Sequence, residues 1–163
     1  MPEIIGIDPG LDGALAFIGL GEVLVIDMPT YEVKDKKSKK RHIDVSELLR
    51  ILRESSGRPP MAYIERQQSY PNQGSVSNYS IGFGYATLVT ALTACHIPFE
   101  TVHPKAWQKH FGIKGATKGQ ACEIAGRLFP GVSIRGPRGR ALDGRADALL
   151  IAEYGRRYRG VTI

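Results

Sequence analysis

Short apolar runs separated by turn residues dominate the first part of the chain. Residues 3–8, 14–19 and 22–28 read EIIGID, ALAFIG and EVLVIDM, which are β-branched or aromatic runs of strand length. Asp8-Pro9-Gly10 breaks the chain after the first run, and Gly19 and Gly21 break it after the second. Because these connections are short, the pattern predicts three neighbouring antiparallel strands.

A basic segment and an amphipathic helix are predicted next. Six of the eight residues from Lys34 to Arg41 are basic, which predicts an exposed loop rather than a buried element. Asp44 and Glu47 then have the spacing of an N-terminal helix cap. The helix that follows has one apolar face, formed by Val45, Leu48, Leu49 and Leu52.

Strands and a long helix alternate in the middle of the chain. Residues 61–65 (MAYIE) predict a strand that ends at Glu65, and residues 98–102 (PFETV) predict another. Residues 76–96 between them have the apolar spacing of a helix. Gly82 and Gly84 lower its helix propensity and indicate close packing against another element.

The C-terminal part reads as two helices linked by basic loops. Residues 103–119 form a basic connection with one helical turn. Thr117 and Gln120 have capping-box spacing and predict the start of the first helix. Its apolar face consists of Ala121, Ile124, Ala125 and Leu128. A second basic loop covers residues 135–140, and residues 144–158 predict the final helix.

Together these elements predict an α/β fold in which one mixed sheet carries helices on its faces. No repeat, coiled-coil heptad or linker divides the chain, so residues 1–163 are expected to form a single domain. In sheets of this kind, polar residues at strand ends gather at one edge and build the functional site.

Composition and charge narrow the function. With 22 Lys and Arg against 16 Asp and Glu, the net charge is +6, which favours a polyanionic partner such as nucleic acid. Cys95 and Cys122 lie outside any zinc-binding spacing and are expected to be buried, reduced thiols of a cytoplasmic protein. The N-terminus lacks the pattern of a signal peptide, and no apolar run has the length of a membrane span.

Four acidic residues carry the candidate chemistry. Asp8 and Glu65 each end an apolar strand, and Asp143 and Asp147 open the last helix. A carboxylate at a buried strand end is costly unless its charge is compensated, and Mg²⁺ prefers oxygen ligands. Two Mg²⁺ ions roughly 3.5–4 Å apart, with Mn²⁺ as a substitute, would make this set a site for in-line displacement at phosphorus.

Each acid also fits a purely structural role. Asp8 could open a turn, and Glu65 could pair with Arg66. Asp143 could act only as a helix cap, and Asp147 suits the helix dipole. Four such coincidences in one basic chain are improbable, so the metal site is the preferred interpretation.

Three motifs in order resemble the RuvC family of Holliday-junction resolvases, which have an RNase H-like fold. IGIDPG, carrying Asp8, resembles the first-strand motif of that family. YIERQ, carrying Glu65, and ADALLIA, carrying Asp147, resemble its second-acid and terminal-helix motifs. The resemblance covers nearly the whole chain and implies an RNase H-like five-stranded sheet, DNA recombination and repair, and a homodimer.

The chain departs from the family pattern in three places. The fourth acid of that family, or a His, falls at Gly144, whereas Asp143 stands one residue earlier. The aromatic residue that enters the junction falls at Gln68, and the nearest aromatic residue is Tyr70. The Lys34–Arg41 segment is also unlike the bacterial members of that family. This divergence, together with the compact length, points to a phage-encoded member that acts in the host cytoplasm.

The resemblance also assigns basic residues and a dimer surface. Lys105 and Lys118 fall where it places lysines near the scissile phosphate, and Lys118 lies at a predicted helix start that attracts phosphate. The long helix over residues 76–96 is the candidate dimer interface. Trp107 is predicted to be a core residue. The basic candidates for sequence-independent contacts to DNA are Lys36, Lys37, Lys39, Lys40, Arg41, Arg135, Arg138 and Arg140.

The sequence therefore predicts a dimeric, metal-dependent endonuclease that resolves Holliday junctions. Asp8, Glu65, Asp143 and Asp147 would hold the metal, and Lys118 would stabilise charge in the transition state. Two alternatives stay open at this point. One is a related nuclease that cuts RNA–DNA hybrids or flaps, and the other is a junction-binding module without catalytic activity.

Overall fold

The computed structural model describes residues 2–35, 38–54, 60–68, 74–114, 119–136 and 139–158. The strands are β1 (Pro2–Asp8), β2 (Ala14–Gly19), β3 (Val23–Asp27), β4 (Thr30–Asp35), β5 (Ser38–Ile43), β6 (Met61–Glu65) and β7 (Phe99–Val102). The helices are α1 (Val45–Glu54), α2 (Ser75–Ala94), α3 (Pro104–His110), α4 (Gln120–Leu128) and α5 (Asp143–Tyr158). Among the described helices, none combines the length and the apolar character needed to cross a bilayer.

Five strands form a mixed sheet in the order β3-β2-β1-β6-β7. The first three strands are antiparallel neighbours, as their short connections predict. β6 and β7 are each reached through a helix and therefore run parallel to β1. Ile7 of β1 pairs with Ile64 of β6, so the next residues, Asp8 and Glu65, lie side by side at the carboxyl edge of the sheet.

The alternation of side chains along β1 separates two apolar cores. Ile5 and Ile7 belong to the core beneath α1 and α2, which also contains Leu48 and Leu88. Ile4 lies on the opposite face, in the core shared with α3, α4 and α5. The sheet is thus covered on both sides, and the predicted α/β layer architecture is confirmed.

Helix α5 lies unusually close to the sheet because glycines remove side chains at the contact. A Cβ atom at Gly6 of β1 would lie 2.2 Å from the carbonyl oxygen of Ala148. A Cβ atom at Gly155 would lie 2.2 Å from the ring of Tyr63 in β6. These two contacts fix α5 across β1 and β6, and its N-terminus reaches the edge where those strands end.

The prediction of a loop over Lys34–Arg41 is wrong for the part of this segment that the structure describes. Residues 30–35 and 38–43 form the hairpin β4–β5, in which Tyr31 pairs with His42 and Val33 with Lys40. The side chains of Val33 and Lys40 are exposed, so the ribbon presents charge without burying an apolar face. Strands whose side chains are exposed on both faces lack the alternation of apolar and polar residues by which a strand is predicted. The loop was therefore predicted from the run of basic residues alone.

The two predicted helix caps have different outcomes. The Asp44 cap is confirmed, since its Oδ1 accepts a hydrogen bond from the backbone N–H of Glu47 at 3.0 Å. Thr117 of the predicted capping box lies outside the described residues. Helix α4 begins at Gln120, after Gly119 in a left-handed conformation with φ of 94° and without a side-chain cap. Glycine adopts that conformation without steric cost.

Candidate active site

Asp8 and Glu65 occupy the carboxyl ends of adjacent parallel strands. Oδ1 of Asp8 accepts the backbone N–H of Gly10 at 3.3 Å, which orients it within the turn after β1. Burial raises the pKa of Asp8, and a smaller repulsion from Asp12 adds to that effect. Burial also raises the pKa of Glu65 to about 7, with the charge of Asp8 contributing in the same direction. The two acids are therefore close enough to repel each other.

Helix α5 adds Asp143 and Asp147 to the same edge. They stand four residues apart in its first turns and so point to one side of the helix. The pKa of Asp147 is raised to about 8 by burial, and then by the charges of Asp8, Glu65 and Asp143. Four carboxylates from three separate parts of the chain thus interact electrostatically at one position.

Asp143 is oriented by a buried thiol. Sγ of Cys122 in α4 donates to Oδ1 of Asp143 at 3.5 Å. Burial, followed by this hydrogen bond and the nearby charge of Asp143, raises the pKa of Cys122 to about 11. Cys122 therefore stays protonated and remains a donor. Both Cys122 and Cys95 are free thiols, as predicted, but Cys95 is half-buried and the prediction that both are buried is wrong for it.

The position of Gly144 explains why the acid stands at residue 143. A Cβ atom at Gly144 would lie 2.2 Å from the carbonyl oxygen of Asp12 and 2.7 Å from the Cα atom of Gly13. Both are backbone atoms of the turn that follows Asp8, so no side chain fits there. An acidic residue at 144 is therefore sterically excluded, whereas Asp143 is exposed beside Asp147.

The donor set suits a hard divalent cation. The interactions that shift the pKa values of Asp8, Glu65 and Asp147 include no Lys, Arg or His from the described residues. When ionised, these acids therefore have no compensating cation among the described residues, and their oxygens are ligands that Mg²⁺ prefers. The described residues contain no three His, Cys, Asp or Glu side chains already gathered around one cation position.

Trp107 contacts this site directly, which the sequence analysis missed. It was predicted to be a core residue and is indeed buried. Its Nε1–H also donates to Oε2 of Glu65 at 2.8 Å. The only signal in the sequence was the position of Trp107 shortly after the strand that neighbours Glu65. That signal says nothing about where the indole N–H points.

The loop after Glu65 is tied to the start of α3. The side-chain amide of Gln68 lies 2.8 Å from Nε2 of His103. His103 caps α3 by accepting the backbone N–H of Lys105 at its Nδ1 atom. Gln68 is thus half-buried and held, while the side chain of Lys105 is exposed two residues before Trp107. Tyr70 and Lys118 lie outside the described residues.

The basic candidates for DNA contact are distributed over exposed surfaces. Lys39 and Lys40 lie on β5, where Lys39 is 3.9 Å from Glu32. Arg41 forms an ion pair of 2.7 Å with Asp12, in the turn that follows Asp8. Lys36, Lys37 and Arg138 lie outside the described residues, and Arg135 and Arg140 are exposed.

A groove of about 700 Å³ runs from the hairpin to the start of α5. Arg41 lines it on the hairpin side, and Arg140 and Arg145 line it on the other side. Asp143 also lines the groove. Two of the three cations are already paired, Arg41 with Asp12 and Arg145 with Asp27 at 2.8 Å. The groove is therefore a polar channel of mixed charge that opens beside a carboxylate of the site.

Helix α2 exposes apolar side chains near its N-terminus. Val76 is 75%, Tyr79 72% and Phe83 55% exposed, and the rings of Tyr79 and Phe83 stack at 6.0 Å between centroids. A Cβ atom at Gly82 would meet no atom within 4 Å in this chain. The close packing predicted around Gly82 therefore does not occur within the described part of one chain.

The sheet order, the parallel β1-β6-β7 arrangement and the helices on both faces define an RNase H-like fold. No protein-family profile and no curated protein sequence matches this chain. The fold matches the RuvC structure of Thermus thermophilus, with a TM-score of 0.55, 16% identity and 96% coverage of both chains.

Two further solved structures are similar. One is Thermus thermophilus RuvC in complex with a Holliday junction substrate, with a TM-score of 0.60 and 16% identity, covering 96% of this chain and 94% of that one. The yeast mitochondrial Holliday junction resolvase has a TM-score of 0.49 and 13% identity, with 98% and 79% covered. At this identity the likeness to RuvC establishes the fold alone, and function has to be argued from the site.

Proposed function

We propose that this protein is a metal-dependent endodeoxyribonuclease that resolves Holliday junctions and related branched DNA. One observation carries the proposal. Asp8, Glu65, Asp143 and Asp147 converge at the edge of the sheet, and the pKa of Asp147 is raised by burial and by the other three. Such a set is costly in a protein unless a cation binds it. Carboxylates around divalent metal are the usual means of hydrolysing phosphodiesters.

The substrate class rests on charge and on the fold. The chain carries a net charge of +6, which attracts a polyanion. One protein with the same fold was solved in complex with a Holliday junction substrate. The groove lined by arginines leads from the basic hairpin to Asp143. These features support DNA as the ligand and a phosphodiester as the bond that is cut.

Each residue of the site has a role in this mechanism. Asp8, Glu65 and Asp147 would hold the metal, with Asp143 completing the set. The bound metal would supply Lewis-acid activation of water and stabilise charge on the phosphate. Hydrolysis adds the hydroxyl of water to phosphorus and returns a proton to the oxygen that leaves. Lys105 on α3, together with Lys118, would offset the negative charge that develops on the phosphate.

A homodimer fits a substrate with two-fold symmetry, because two symmetric cuts need two active sites. The exposed apolar residues Val76, Tyr79 and Phe83 of α2 are the proposed interface. Side chains of this size are unusual on a surface that stays in water, and they match the aromatic enrichment of protein interfaces. The open space around Gly82 would let a second helix approach closely.

The decisive experiment is cleavage of a labelled four-way junction in Mg²⁺ and in EDTA, beside linear duplex and an RNA–DNA hybrid. Asp8→Asn and Glu65→Gln should abolish cleavage. Glu123→Gln removes a charge from the exposed surface of α4 and should preserve it. Paired nicks in the junction that need metal and both acids would support the proposal.

Two other outcomes would replace the proposed function with a different one. Tight junction binding without cleavage in Mg²⁺ or Mn²⁺ would indicate a binding module. Cleavage of the hybrid alone would indicate a related nuclease with another substrate.

A further inference from the structure

Trp107 has a polar contact that the mechanism above does not use. Its side chain is 1% exposed, and its Nε1–H donates to Oε2 of Glu65 at 2.8 Å. Trp107 is the only tryptophan of the chain. A phenylalanine at this position could make the same apolar contacts. The N–H group is what tryptophan adds, and it is the group that contacts Glu65.

The acceptor of the Trp107 hydrogen bond indicates a role for this residue in the site. A buried indole N–H requires a hydrogen-bond partner, and any nearby carbonyl oxygen would satisfy it. Here the partner is the carboxylate of a proposed metal ligand, 42 residues away in sequence. Hydrogen bonds to an ionised carboxylate are shorter and stronger than neutral ones. The bond engages Oε2 of Glu65 and fixes the plane of a flexible side chain.

The donor is itself held rigidly. Helix α3 is connected to the end of β6 by the contact of His103 with Gln68. The backbone N–H of Arg66 also donates to the carbonyl oxygen of Val102 at 2.8 Å, just before α3 begins. The indole N–H therefore sits on a helix that is joined at two points to the segment it orients. A donor on a fixed element restrains a ligand far better than one on a free loop.

We propose that Trp107 is a positioning residue that holds the Glu65 carboxylate in the orientation that receives the metal. This inference rests on the proposed function, because it assumes that Glu65 is a ligand. In this role Trp107 acts through its hydrogen bond to Glu65 and not as a metal ligand. Partners of this kind typically change metal affinity by about 10- to 100-fold when they are lost.

The sharpest test removes the N–H group and keeps the shape of the ring. Replacement of tryptophan by benzothienylalanine during expression exchanges the N–H for sulfur, and it alters one site because the chain has one tryptophan. Trp107→Phe is the genetically encoded counterpart. Binding of Mg²⁺ to metal-free protein is measured by calorimetry, with thermal denaturation in EDTA as the measure of folding. We expect affinity to fall about tenfold or more. Affinity within twofold of the native value overturns the inference.

A second readout uses the native tryptophan as a probe and needs no change at Trp107. Addition of Mg²⁺ should alter its fluorescence in the native protein and in Glu123→Gln. The response should be lost in Glu65→Gln. A native protein that binds Mg²⁺ by calorimetry without any change in emission contradicts the inference and leaves the proposed function intact. A native protein that neither binds divalent metal nor cuts junctions overturns both.

Discussion

A single methyl group added at Gly144 should damage activity. The Cβ atom of Gly144→Ala would lie 2.2 Å from a backbone oxygen of Asp12, whereas ordinary contacts between such atoms begin near 3.4 Å. The start of α5 would therefore have to move by roughly 1 Å, together with Asp143 and Asp147. Overpacking of this kind costs about 1–3 kcal/mol, or a fall in Tm of roughly 3–10 °C. A displacement of 1 Å in a catalytic group can lower the rate about 100-fold.

The assay combines thermal denaturation with single-turnover cleavage of a four-way junction. Gly84→Ala is the matched control, because its Cβ atom would meet only the side chain of Ile43 at 3.6 Å. That change should raise stability by up to about 1 kcal/mol and preserve cleavage.

In an Asp143→Asn background, Gly144→Asp should fail to restore activity, since residue 144 has no room for a side chain. Native Tm and native cleavage in Gly144→Ala would refute the steric argument.

Three further predictions concern charge and assembly. The pKa of Asp147 is raised to about 8, so the stability contributed by its protonated form is present at pH 4 and is lost as pH rises through 8. In EDTA, Tm should fall over that range and Asp147→Asn should reduce the fall. Burial alone would raise the pKa of Glu153, but hydrogen bonds from Arg156 and Arg157 lower it. Glu153→Gln should therefore cost about 2 kcal/mol at pH 7 by thermal denaturation, and the difference should shrink in acid. By sedimentation, Phe83→Glu should convert a dimer to monomers, whereas Leu24→Glu, on edge strand β3, should not.

The central sheet was predictable because its strands are apolar runs bounded by turn residues. Asp8 and Glu65 stand out in the sequence for the same reason, since each ends such a run. Their adjacency followed from a general rule about parallel strands, and the register of Ile7 against Ile64 agrees with it. The final helix was predicted within one residue of its observed start at Asp143.

Other features depend on contacts between residues far apart in the chain. The clash at Gly144 involves Asp12, and the hydrogen bond of Trp107 involves Glu65. The hydrophobic periodicity of the sequence does not predict such contacts, because each depends on how the helices pack against the sheet. The hairpin was missed for a different reason. A ribbon that faces water on both sides has no apolar face, and strand prediction relies on that face.

The order of the four acids has a consequence for the newly synthesised protein. A ribosome delivers Asp8 and Glu65 first, but Asp143 and Asp147 arrive only with the helix that closes over β1. No N-terminal fragment that stops before α5 contains all four acids. Under the proposed function, an incomplete chain would form strands and attract DNA through its basic hairpin without the capacity to cut it. Cleavage of DNA would then begin only after the last helix has docked.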